Sequence, residues 1–189
     1  SALEKAARLA PNDPVKVILM PEFQRGVAVA YCDSPGPLDK GLDTFYAVSP
    51  IPEDWTDEQV DSYLREYNTR MIHLLSIHEA MPEHYLEGVH SADHPSTLRA
   101  VLRSGPFAEG WAVYTEDMLA DAGYMDSDPL FRLVQQKFYL RAVANALLDQ
   151  GVLRYGVNFV SDRSRMLSGE TGGYMPIKGA KMTIMQAPP

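Results

Sequence analysis

The sequence is poor in cysteine, in long apolar runs and in clustered positive charge. Cys32 is the single cysteine among 189 residues, which excludes a disulfide framework and a cysteine-rich zinc ribbon. The longest apolar runs, Val15–Met20 and Val27–Cys32, are far too short to cross a bilayer, so we predict no membrane span. The net charge is −8 without a lysine or arginine stripe, which indicates no nucleic-acid partner because phosphate binding needs a concentrated basic surface.

The start of the chain lacks a charged segment followed by an apolar one. The sequence therefore predicts no signal peptide in this chain. A periplasmic or secreted location of the full-length protein stays open, since a processed fragment would look the same. The hydrophobic content of 46% and the charged content of 22% are ordinary for a globular protein, and 189 residues suit a single domain.

The composition changes along the chain from strand formers to helix formers. Val15–Met20, Val27–Tyr31 and Thr44–Val48 are short β-prone segments separated by glycine and proline, which predicts a small antiparallel sheet. The expected class is α+β, mainly α-helical. The single domain 1–189 is expected to have three parts: a small sheet with loops in 1–55, a helical metal-site region in 56–167 and an irregular tail in 168–189.

One long helix is predicted to carry His78 into the core. Thr56 and Gln59 have the spacing of a capping box at its start. Apolar residues then recur every three or four positions over Val60–Leu75, and His78 continues that face. Pro82 cannot donate a hydrogen bond to the His78 carbonyl, so we expect the helix to break there.

Shorter helices are expected after this break. Gly88–Pro95 is predicted to be a turn region. Ser96–Arg103 and Phe107–Ala122 are predicted helices, and a further helix is expected from Pro129 to about residue 150, with Gly151 following its end.

The histidines are clustered, since all five lie within His73–His94. In the motif H-E-x-x-H, two histidines four residues apart bind zinc from one helical face, and the Glu acts as base. His78-Glu79 begins such a motif, but His84 follows six residues after His78, so on a straight helix the two side chains would point about 120° apart. A break at Pro82 could bring them together. The spacing alone leaves both a metal site and an ordinary His–Glu pair open.

A third metal ligand would have to come from another helix, and Glu109 is the candidate. Glu109, Ala112 and Glu116 share one helical face. Gly110 and Ala112 keep the surface small, so that a second helix could approach. The alternative is that Glu109 is favoured only by the positive end of its helix and that Glu116 is solvated.

Two segments carry a family resemblance. His78–Glu87 reads HEAMPEHYLE and Glu109–Glu116 reads EGWAVYTE. They resemble the signatures H-E-A-x-P-G-H-H-L-Q and E-G-W-A-L-Y-x-E of the bacterial family named domain of unknown function 885, which is similar to zincin metallopeptidases of the gluzincin kind. The resemblance implies a zincin-like helical domain. It also implies that this chain is the metal-bearing C-terminal part of a larger domain, completed by a further segment or chain.

The resemblance also implies roles for residues. His78, His84 and Glu109 would bind one Zn²⁺ ion, and Glu79 would be the general base. The expected function is cleavage of a peptide or small amide substrate by metal-activated water. Glu116 is a candidate for orienting a ligand, and four residues are candidates for stabilising the oxyanion: Tyr85, Tyr114, Arg154 and Tyr155.

Four positions depart from the family pattern. Glu83 replaces a glycine, Tyr85 a histidine and Glu87 a glutamine, and Leu153 stands where relatives have the histidine of D-T-G-I-H. Two alternatives therefore stay open: a non-catalytic metal-binding or scaffold relative, and a 2-His-1-carboxylate iron(II) enzyme. The presence of Glu79 directly after a ligand favours hydrolysis, since an oxygenase needs no base there.

Overall fold

The structure is a computed structural model that describes residues 15–26, 28–39 and 41–155. The tail predicted for 168–189 lies outside these residues. The strands are β1 (Lys16–Leu19), β2 (Ala30–Asp33) and β3 (Phe45–Val48). The α-helices of the described residues are α1 (Asp57–Glu66), α2 (Thr69–Glu79), α3 (Glu83–Ala92), α4 (Thr97–Val101), α5 (Gly105–Asp121) and α6 (Pro129–Tyr155). The predicted α+β, mainly helical class is confirmed.

The sheet is mixed, so the prediction of an antiparallel sheet is wrong for one strand pair. The strand order is β1-β3-β2, with β1 parallel to β3 and β2 antiparallel to β3. β1 and β2 are joined by a long connection with a 3₁₀ turn at Glu22–Gln24 and a left-handed Gly26 (φ +87°). Such a connection does not impose a hairpin, which leaves room for β3 to insert between the two strands.

Helix α1 begins at the predicted capping box. Thr56 Oγ1 accepts a hydrogen bond from the Gln59 amide at 3.3 Å, and Gln59 Oε1 accepts one from the Thr56 amide at 3.1 Å. The expected continuous helix through His78 is wrong, because α1 ends at Glu66. The Asn68 side chain accepts hydrogen bonds of 3.0 and 3.3 Å from two amides in the first turn of α2, which starts a new helix.

Helix α2 lies at the centre of the described fold, where it contacts β2, α3, α5 and α6. Its apolar face is buried as predicted. The end of α2 is fixed by Ala80, which packs against Ala30 and Tyr46 of the sheet. The main core combines this helix with α5 and α6 and contains Tyr67, Met71, Leu74, Leu75, Ile77, Leu119 and Phe131.

The break predicted at Pro82 is present. Helix α2 ends at Glu79, and Ala80 has φ −118° and ψ −84°, outside the helical region. Helix α3 begins at Glu83. His84 therefore lies in the first turn of a second helix, so its direction is independent of the periodicity of α2.

Two other predicted boundaries are wrong. The segment predicted to turn at Gly88–Pro95 remains helical to Ala92, where Ser91 Oγ donates a 2.8 Å hydrogen bond to Glu87 Oε1 across one turn. Gly151 lies inside α6 and is buried, so it serves packing and not chain termination. Within the described residues, none of the helices combines the length and the apolar character that crossing a membrane would require.

We expect Asn68→Ala to lower the free energy of unfolding by about 1 kcal/mol, because it removes the acceptor for two amides at the start of α2. Asn68→Asp keeps that acceptor and serves as the matched control. Urea denaturation of the two variants and the wild type measures the difference. Equal stability of both variants would show that the cap does not stabilise α2.

Candidate metal centre

Three side chains from three helices converge as the sequence analysis required. His78 lies in the last turn of α2, His84 in the first turn of α3 and Glu109 near the start of α5. One nitrogen of each imidazole and one carboxylate oxygen all lie within 4.8 Å of one another. The broken helix therefore removes the obstacle that the six-residue spacing presented.

One of the two measured distances between these donors lies in the range of a tetrahedral zinc site, and the other is slightly longer. Glu109 Oε2 lies 3.4 Å from His78 Nε2, and Glu109 Oε1 lies 3.8 Å from His84 Nε2. Zinc bonds to nitrogen and oxygen are about 2.0–2.2 Å long, so two tetrahedral ligands are about 3.3–3.6 Å apart. Imidazole nitrogen and carboxylate oxygen are also ordinary zinc ligands. The residues present thus fit a zinc ion with three protein ligands.

Glu116 fixes the orientation of His78. His78 Nδ1 donates a 2.7 Å hydrogen bond to Glu116 Oε1, and the Glu116 side chain is fully buried. The alternative that Glu116 is solvated is therefore wrong. Because Nδ1 is engaged, Nε2 is the nitrogen directed towards Glu109 and His84. A carboxylate on the second ring nitrogen is typical of metal-binding histidines.

His84 is held differently. Its Nδ1 is buried and has no hydrogen-bond partner among the described residues. The His84 ring instead meets the His78 ring edge to face, with centroids 5.3 Å apart. Burial lowers the pKa of His84, which keeps the imidazole neutral and able to bind a metal ion.

The surrounding carboxylates favour positive charge between these donors. Burial opposes a charge on His78, but the hydrogen bonds to Glu109 and Glu116 outweigh it and raise the pKa of His78 to about 10. The same contact with His78 lowers the pKa of Glu109. A cation at this point is therefore stabilised electrostatically.

Glu79 lies beside the donors. Its Oε2 is 4.0 Å from His84 Nε2. Burial raises the pKa of Glu79 to about 7; the carboxylates of Glu109 and Glu116 add to this effect and His78 opposes it. A carboxyl group with a pKa near neutrality has the proton affinity expected of a general base.

A cavity of about 620 Å³ opens onto this cluster. Glu79, His84 and Glu109 form part of its wall. Cys32 and Arg103 also line the cavity, and the sequence analysis missed both as site residues. No local pattern marks either residue, since both reach the cavity only through tertiary packing, of β2 against α2 and of α4 against α3. The volume is within the range that accommodates a small ligand.

Three further candidate residues, Tyr85, Tyr114 and Arg154, do not line this cavity. Tyr85 is buried and lines a separate cavity. Tyr114 is 56% exposed, and its ring lies against Trp111. Arg154 is exposed in the last turn of α6, and the side chain of Tyr155 lies outside the described part of the chain. The placements of Tyr85, Tyr114 and Arg154 do not favour a role next to the metal donors.

The family comparison agrees with the resemblance of the two motifs. Residues 1–164 match the model of a family described as "Bacterial protein of unknown function (DUF885)". The chain belongs to the DUF885 family. No match to this DUF885 chain was found among curated proteins.

Two solved structures resemble the DUF885 chain. One, from Shewanella oneidensis, is described as "a putative lipoprotein of unknown function" and is 31% identical in sequence. The match has a TM-score of 0.69 and covers 98% of this chain and 34% of the Shewanella chain. The other, described as "the putative lipoprotein" from Colwellia psychrerythraea, is 19% identical, with a TM-score of 0.63 over 97% of this chain and 32% of that one, and shows the fold alone. The DUF885 chain thus spans about a third of each solved chain.

The packing of α5 corrects one expectation about small residues. Ala112 is fully buried, as expected for a residue between helices. Gly110 is exposed. A Cβ atom at this position would have no neighbour within 4 Å among the described residues, apart from the backbone of its own helix and its chain neighbours. Gly110 therefore does not serve the close approach of a second helix, whereas Ala112 is buried in the packing of α5.

We expect Gly110→Ala to raise the free energy of unfolding by roughly 0.5–1 kcal/mol, because alanine has the better helix propensity and meets open space. Ala112→Gly, the reverse change two residues away, should lower stability, since it also removes a buried methyl group. Parallel urea titrations compare the two variants. A destabilising Gly110→Ala would contradict the open surface.

Proposed function

We propose that this chain carries the metal centre of a zinc-dependent hydrolase that cleaves peptide or amide bonds. The observation that carries the proposal is the convergence of His78 Nε2, His84 Nε2 and the Glu109 carboxylate, with Glu79 beside them. The resemblance of both motifs to the DUF885 signatures supports it, since that family is similar to gluzincin-type metallopeptidases. When bound by these three residues, zinc would polarise the substrate carbonyl and make a water molecule more acidic.

We assign proton transfer to Glu79. It lies in the cavity wall next to His84 and Glu109, where an attacking water and a leaving amine would both be in reach. Its carboxylate would take a proton from the water and pass it to the amine nitrogen as the C–N bond breaks. The helix that carries Glu79 also carries His78, so the base and a ligand are fixed together.

Glu116 and the packing of α5 against α2 position the ligands. Glu116 holds the His78 ring, and the packing of the two helices brings Glu109 to the two histidines. Rigid support of this kind fixes metal ligands without contacting the ion.

The donor set alone would also suit a 2-His-1-carboxylate iron(II) enzyme. Glu79 favours the hydrolase, because an oxygenase has no use for a base at that position. The similarity to the structure from Shewanella oneidensis described as a "putative lipoprotein" supports a location in the cell envelope or outside the cell. Because the solved chains are about three times as long, a further segment would complete the domain around the cavity.

We expect His78→Ala, His84→Ala and Glu109→Ala to abolish stoichiometric zinc binding, because each removes one of three ligands. Glu116→Ala should weaken zinc binding by about 10–100-fold, since it acts through the orientation of His78. His90→Ala, which changes an exposed histidine of α3, is the control and should retain the ion. The measurement is elemental analysis of each protein after dialysis.

The metal analysis also separates the alternatives. Iron in place of zinc would favour the oxygenase. A wild-type protein without bound metal, or a Glu109→Ala variant that stays fully loaded while Glu116→Ala empties, would contradict the ligand assignment.

We expect Glu79→Gln to keep its zinc but to lose about two to four orders of magnitude in peptide hydrolysis, because glutamine retains the size of glutamate without its basicity. A fluorogenic peptide library measures turnover, with a chelator-treated wild type as the blank. Unchanged turnover in a fully loaded variant would reject the base. Loss of the metal would indicate that Glu79 is a ligand.

A further inference from the structure

Arg103 is a cation in the same cavity, and the proposed mechanism gives it no role. It follows α4, its side chain is 49% exposed, and it lines the cavity together with Glu79, His84 and Glu109. Among the described residues that line this cavity, it is the sole lysine or arginine. A half-exposed arginine in a cavity wall is available to a ligand.

A buried carboxylate holds this arginine in place. Arg103 Nη2 donates a 2.6 Å hydrogen bond to Glu87 Oε2, and the Glu87 side chain is only 5% exposed. Ser91 Oγ donates a 2.8 Å bond to the other oxygen of Glu87, which fixes the carboxylate. Glu87 lies three residues after His84 on α3, so the two side chains are neighbours on the helix surface. The guanidinium is therefore anchored within about one helical turn of a metal donor.

The remaining charges of the wall are negative. Asp33, Glu79 and Glu109 line the same cavity. They would repel an anionic group of a ligand, whereas Arg103 offers a planar fork of N–H donors that matches a carboxylate. An anion in this cavity therefore has one favourable protein partner in the described wall.

We propose that Arg103 binds a carboxylate of the peptide substrate and so selects peptides with such a group near the cleaved bond. This inference rests on the proposed function for the cleavage itself. The carboxylate can be the free C-terminus, which would make the enzyme act near chain ends, or an aspartate or glutamate side chain, which would make it act at acidic positions. Both sources present the same chemistry to the guanidinium.

Four N-acetylated alanine-rich peptides of equal length separate these sources. The peptides of the first pair differ only in a free or an amidated C-terminus. Both peptides of the second pair have an amidated C-terminus, and they differ only in a central Glu or Gln. Calorimetric binding to zinc-loaded Glu79→Gln protein provides a readout that does not depend on turnover. We expect one charged peptide to bind about 10–100-fold more tightly than its neutral partner, as for a charge-assisted hydrogen bond. The same preference should appear in kcat/KM of the wild type.

The arginine variants test the assignment. Arg103→Ala should remove the preference, and Arg103→Lys should retain part of it, because lysine keeps the charge but not the fork. Arg99→Ala is the control for a nearby positive charge outside this cavity and should leave the preference unchanged. Should Arg103→Ala fail to fold, as judged by thermal melting, Arg103→Lys supplies the readout.

The outcomes distinguish this inference from the proposed function. Equal binding of charged and neutral peptides, or a preference that survives in the arginine variants, would overturn the carboxylate site. A preference that depends on Arg103 in a wild type without chelator-sensitive hydrolysis would support the site and overturn the hydrolase. Chelator-sensitive hydrolysis without any preference would support the hydrolase and overturn the carboxylate site.

Discussion

His78 and Glu116 form a buried hydrogen-bonded pair between α2 and α5, and the geometry of the site depends on it. The 2.7 Å contact sets the direction of the His78 ring and holds the helix that carries Glu109 against the helix that carries Glu79. Removing one partner of a buried pair leaves an uncompensated charge and costs about 3–5 kcal/mol. The interaction that orders the candidate metal centre is therefore also part of what stabilises the helical core.

The break between α2 and α3 allows His78 and His84 to lie close together although they are six residues apart. A straight helix would direct His78 and His84 to different sides, whereas the two-helix arrangement brings their rings to 5.3 Å. Ala80, within the break, packs on the sheet. The small sheet thus contributes to the site indirectly, because it holds the chain where the two histidines change helices.

Much of the local structure could be predicted from sequence because its causes are local. The capping box at Thr56 and the break at Pro82 follow from hydrogen-bonding rules that involve neighbouring residues. The parallel pairing of β1 with β3 could not be predicted, since it depends on a long connection. The anchoring of Arg103 by Glu87 also could not be predicted, because the contact joins α3 to the segment that follows α4. The motifs identified His78, His84, Glu79 and Glu109 as candidates, but only the fold shows that they meet.

The three proposed ligands differ in exposure, and this difference indicates from which side a ligand can reach them. The side chains of His78 and His84 are 11% and 14% exposed, whereas Glu109 is 66% exposed. His78 is therefore the most buried ligand, with Glu116 behind it, and His84 and Glu109 line the cavity. Because Glu79 and Arg103 line that same cavity, water and a peptide would approach from one side and meet the base, the ligand carboxylate and the cation together. Glu116 is fully buried between the packed helices, so a ligand of the proposed centre would reach it from the cavity and not from the Glu116 side.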